Sequence, residues 1–147
     1  MTRRMAIALV AVAGVWSLIG CSSLTVPLPC DLMIVAVAAD STLKEGDPVP
    51  PEPQVIAGPG EFDAIGSSIK TDPNGGVSLE LRLRGTAIER LAAHTAAHLG
   101  EPMAIVINGE VVAVPFIQSS IPAGEISVAP ATSDGAAFAK RFAGCVR

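Results

Sequence analysis

Met103-Ala104-Ile105-Val106-Ile107-Asn108-Gly109-Glu110-Val111-Val112-Ala113-Val114-Pro115-Phe116-Ile117-Gln118-Ser119-Ser120-Ile121 holds the strongest short-range structural signal in the chain. Two apolar runs, 103–107 and 111–117, flank Asn108-Gly109. That dipeptide tolerates positive φ at both central positions of a tight turn, so the stretch is expected to be a β-hairpin. Pro115 interrupts the second run as an edge or bulge residue would. Ile105, Ile107, Val112, Val114 and Phe116 supply more apolar surface than one buried sheet face needs. Either a helix covers each side, or one face stays open as an apolar patch for an extended peptide. Val112, Val114, Phe116 and Ile117 are the candidate binding residues. The plainer alternative makes the hairpin the central pair of the core, and the exposure of Phe116 separates the two.

Upstream, Val77, Leu79, Leu81 and Leu83 alternate strictly with Ser78, Glu80, Arg82 and Arg84. That is a strand with one wet face, the mark of an antiparallel sheet. The turn cluster Asp72-Pro73-Asn74-Gly75-Gly76 joins it to an expected strand at 65–71. A helix is expected over 86–99, with Ile88, Leu91, Ala92, Thr95 and Leu99 on one stripe, ended by Gly100 and Pro102. Residues 32–38 read as a buried strand and 125–129 as a short one. Residues 44–60 carry Pro48, Pro50, Pro51, Pro53 and Pro59 and read as an exposed, stiff loop. Ser133 is the expected N-cap of a last helix, with Asp134 near its positive end and Phe138, Phe142 and Cys145 turned inward. The order predicts an α+β domain over 32–145, an antiparallel sheet with two helices packed on one face. At 147 residues there is room for little else.

The start of the chain carries an address. Arg3 and Arg4 precede an uncharged apolar run that ends in Leu18-Ile19-Gly20-Cys21, an arrangement similar to the lipobox of bacterial lipoproteins. The resemblance makes residues 1–20 a signal peptide, Cys21 the lipid-bearing first residue, and 21–31 a tether. A retained anchor or an ordinary secretory signal is the alternative. Ser22 after the anchor resembles the outer-membrane default in Gram-negative lipoproteins, so the expected place is the periplasmic side of the envelope, lipid-anchored, with membrane contact through Cys21. Cys30 and Cys145 are then an even pair in an oxidising compartment, which favours a disulfide over a two-thiol metal site.

The hairpin residues also resemble the head of the first periplasmic domain of SecD or SecDF, a membrane subunit accessory to protein export. An apolar strand, a tight acidic-or-amide/Gly turn, a Val-rich strand with Pro and an Ile-Gln-Ser run follow one another in both. The flanks agree, from Leu79 to Arg84 into a helix with Leu91 and Thr95, then Gly124 and a last helix with Ala139 and Phe142. Asn108 stands where the family often has Asp. The resemblance implies a non-catalytic binding head that contacts a translocating polypeptide, with no cofactor. Nothing after Gly20 reads as a membrane span, so the proton-driven part of that machine has no counterpart here.

Other chemistries are poorly supported. His94 and His98 have the four-residue spacing of a shared metal site but lack a zincin Glu, and Arg90 lies one turn away, so no metal is expected. Ser119 and Ser120 lack a nucleophile elbow, and a triad of Ser with His94 and Asp134 has no support in spacing. Glu61 and Asp63 are expected to face solvent. A net charge of −4, 3% aromatics and no Tyr argue against a nucleic-acid partner. The expected partner is protein, an exported polypeptide or an envelope component. A structural envelope lipoprotein is the second reading and an uncharacterised hydrolase the third.

Overall fold

The computed structural model describes residues 30–63, 66–129 and 135–145. Residues 1–20, Cys21, Ile65, Ser133 and Asp134 lie outside them. The elements run β1 (Leu32–Ala36), β2 (Val55–Ala57), β3 (Ser68–Thr71), β4 (Val77–Arg82), α1 (Thr86–Ala97), β5 (Met103–Ile107), β6 (Glu110–Ala113), β7 (Glu125–Val128) and α2 (Gly135–Phe142). The class is α+β and every strand pairing is antiparallel. The strands divide between two sheets, one ordered β2-β1-β5-β6 and one ordered β3-β4-β7. A single sheet was expected because alternation reports which residues face inward, not which strands share a ladder.

Asn108 and Gly109 take φ of 49° and 83°, the left-handed pair that a two-residue hairpin turn requires. The turn is also anchored to the start of β1. Asp31 N–H donates to Asn108 Oδ1 at 3.1 Å, and Asn108 N–H donates to Asp31 C=O at 3.0 Å. β1 lies beside β5 in unbroken register from Leu32–Ile107 to Ala36–Met103.

All five residues of β5 are buried. Ile105 and Ile107 face a main core shared with Leu79, Leu81, Leu91, Phe138 and Phe142, so both helices and both sheets meet there. Ala104 and Val106 face the opposite way, into a second cluster with Val35 and Val111. Leu43 and Val49 cover that cluster. The apolar excess of the hairpin is therefore explained by coverage on both faces, and the second cover is a loop.

The Pro-rich segment is accordingly no free linker. Gly46 N–H donates to Val111 C=O, Val111 N–H to Asp47 C=O, and Val49 N–H to Gly109 C=O, at 2.8–2.9 Å. Residues 46–49 thus occupy the outer edge of β6, with Pro48 bridged to Glu110. Leu99, expected on the buried stripe of α1, is 58% exposed. The helix ends at Ala97, so Leu99 has left the helical repeat, while Ala87 takes the buried place one turn before Leu91.

Cys30 and Cys145 form a disulfide, their Cα atoms 5.2 Å apart across 115 residues of sequence. It ties the lead-in to β1 to the turn after α2. No helix among the described residues is long and apolar enough to cross a membrane.

Candidate functional site

The four candidate residues of the hairpin do not share one face. The register of β5 and β6 shifts between Ile105–Ala113 and Val106–Val111, a bulge that leaves Val112 as the extra residue. A bulge breaks the two-residue alternation. Val112 and Ala113 consequently both enter the main core, while Val114 packs on the second cluster. Val112 and Ile117 are buried, Val114 is half-buried, and Phe116 is 61% exposed.

Phe116 is exposed but firmly held. Beyond Pro115 the chain continues to pair with residues 100–103. Met103 N–H donates to Pro115 C=O at 3.0 Å, Ile117 N–H to Glu101 C=O at 2.9 Å, and Gly100 N–H to Ile117 C=O at 2.8 Å. Pro115 is tolerated because pairing here uses its carbonyl, and a proline has no N–H to lose. With Ile117 buried next in sequence, Phe116 must point outward.

Phe116 forms a ridge between two hollows. One, of about 350 Å³, is lined by Val37, Leu43, Pro102, Val114 and Phe116, with Lys44 and Glu45 at its polar rim. The other, about 170 Å³, lies between residues 115–121 and β7, with Ile117 and Ile121 among its apolar lining. A rigid aromatic flanked by small apolar hollows fits side chains of an extended peptide better than one compact ligand.

The remaining candidates lie elsewhere. The His94 and His98 rings stack with centroids 4.4 Å apart, and His98 Nδ1 is 2.8 Å from Glu101 Oε2. Burial, and then the neighbouring His98, holds His94 below the usual histidine range. No group of three His, Cys, Asp or Glu able to hold a metal occurs among the described residues. Ser119 and Ser120 are exposed in the loop after Ile117. Glu61, expected in solvent, is bound instead. It accepts from Arg90 at 2.5 Å and from Gly58 N–H at 2.8 Å, and both bonds, the arginine's first, lower its pKa. Arg90 also donates to Ile56 C=O at 2.9 Å, so it fastens α1 to β2. No local motif announces that link, because its partners lie 29 and 34 residues away.

The comparisons with known proteins agree with this architecture. The family model described as "SecDF, P1 head subdomain" matches residues 33–143, from β1 through the end of α2. The chain belongs to the SecDF P1 head family. The protein translocase subunit SecD of Rhodobacter capsulatus is 39% identical over 54 residues, which is 37% of this chain and 10% of that protein. The chain thus spans a small part of that relative's length. SecDF in its super-membrane-facing form superposes with a TM-score of 0.56 at 17% identity, over 72% of this chain and 17% of that one. A second SecDF structure, of a membrane component that enhances protein export, gives 0.55 at 15% identity, over 81% and 64%. The two structures share the fold, and the P1 head is a protein-export-related, periplasmic type of domain.

Proposed function

We infer that this chain is an exported, lipid-anchored, non-catalytic protein-binding domain that engages exported or translocating polypeptide at the surface around Phe116. The observation that carries the reading is Phe116 itself, 61% exposed on a frame fixed by backbone bonds on both sides. A large aromatic on a rigid support, with an apolar hollow on either side, suits the anchor of a recognition surface. Val114 shares the larger hollow with it, Ile117 the smaller one, and Val112 lies in the main core. Membership of the P1 head family supports protein as the partner. The lipobox-like Leu18-Ile19-Gly20-Cys21 supports a lipid on Cys21, and Ser22 supports an outer-membrane address.

Photo-crosslinking in intact cells tests the reading, with the probe at Phe116 and a control probe at the exposed Asn74. Many different exported chains, or export components, captured at Phe116 and not at Asn74 are the expected result. A single recurrent envelope partner would replace it with a structural role in an assembly. Equal background capture at both positions would overturn it.

A further inference from the structure

The two sheets treat their edges differently. In the four-stranded sheet residues 46–49 bond along the outer edge of β6, and on β2 Arg90 takes the Ile56 carbonyl. β7 is an edge strand of the three-stranded sheet. Its register with β4 pairs Leu79 with Val128, Glu80 with Ser127, Leu81 with Ile126 and Arg82 with Glu125. One step further along the same register, Leu83 N–H donates to Gly124 C=O at 2.8 Å. In an antiparallel ladder, bonded and non-bonded pairs alternate. Gly124, Ile126 and Val128 therefore turn their backbone groups toward β4, and Glu125 and Ser127 turn theirs away. On that outer side Glu125 and Ser127 have no backbone partner among the described residues. The smaller hollow beside Phe116 opens along this same edge, lined on one side by β7 and on the other by residues 115–121.

We propose that the outer edge of β7 is the docking strand, where an extended polypeptide adds to the three-stranded sheet through the backbone N–H and C=O groups of Glu125 and Ser127. An exposed ladder is complementary to any peptide main chain, whatever its sequence. Side chains on one face of the incoming strand reach the hollow beside Phe116. The inference rests on the polypeptide-binding reading and adds to it the mode of recognition. Of the two edge strands of this sheet, β3 and β7, it is β7 that lines a hollow together with the exposed aromatic.

The test measures binding of a short synthetic peptide of alternating Val and Lys to the full chain in detergent. Three proteins are compared: the parent, Ser127→Pro and Ser127→Ala. The outward N–H of Ser127 makes no ladder bond to β4, so proline there is compatible with the fold while removing the donor. Ser127→Pro should weaken binding about tenfold, and Ser127→Ala should leave it unchanged. The parent should likewise bind a peptide N-methylated at alternate residues about tenfold less tightly in one methylation phase and normally in the other, which needs no variant to fold. Equal binding of parent and Ser127→Pro, with both methylation phases tolerated, would overturn the edge and leave the Phe116 surface standing. No binding of any peptide by the parent would overturn both.

Discussion

Thr95 shows how a single buried polar group can organise this fold. Its hydroxyl donates to Leu91 C=O at 2.8 Å and accepts from Ile121 N–H at 3.0 Å, in a side chain with no exposure. It thereby docks the loop after Phe116 onto α1. Thr95→Val keeps the shape but strands the Ile121 N–H, and should cost about 1–3 kcal/mol in urea unfolding. Two ionisable residues make stability fall toward acid in separate windows. Burial favours neutral His94, so its stabilisation is complete above the unfolded value near 6.5 and is lost as pH falls through its lower folded value. Glu61 is held as a carboxylate by Arg90 and Gly58, so its contribution is present above about 4.3 and is lost below that as it protonates. Half-exposure limits the Glu61–Arg90 pair to about 1 kcal/mol or less. Unfolding followed against pH should show the upper step flattened by His94→Gln and the lower one by Glu61→Gln. A profile unchanged by either substitution would contradict these assignments.

At the scale of elements, the hairpin was legible and its consequences only partly so. Asn108-Gly109 and the two Val/Ile runs specify the turn and both strands, and the alternation of β4 specifies its buried face. The bulge at Val112 was not legible, because it is a mismatch between partners and leaves no composition signal in either strand. Without it, Val112, Val114 and Phe116 would share a face. With it, they go to the main core, the second cluster and solvent. The loop over the outer face was also hidden, since prolines mark extended chain and say nothing of where that chain lies. Its coverage has a measurable consequence. Val106 faces the loop side, away from both helices. Val106→Ala should therefore cost about 2 kcal/mol, as for a buried site. A cost under about 0.5 kcal/mol would mean that this face is open to water.

At the scale of the molecule, a core shared by two sheets and two helices is closed by one covalent link between its ends. Cross-linking residues 115 apart removes enough unfolded-state freedom to be worth up to about 4–5 kcal/mol. Reduction, or the double Cys30→Ser and Cys145→Ser variant, should lower the unfolding midpoint markedly while leaving the fold family recognisable by circular dichroism. The family itself was legible from residues 103–121 and their flanks, because that run combines a turn type, a proline position and a polar exit in one order. The surface was legible to the extent of Phe116, whose exposure depends on the pairing of residues 115–117 with residues 100–103. That aromatic is the centre of the account, and binding of an unfolded polypeptide by the full chain and by Phe116→Ser tests it most directly. The account predicts about tenfold weaker binding by the variant at unchanged stability, as for an anchor residue in a recognition surface. Equal affinity of the two proteins for the unfolded chain would contradict it.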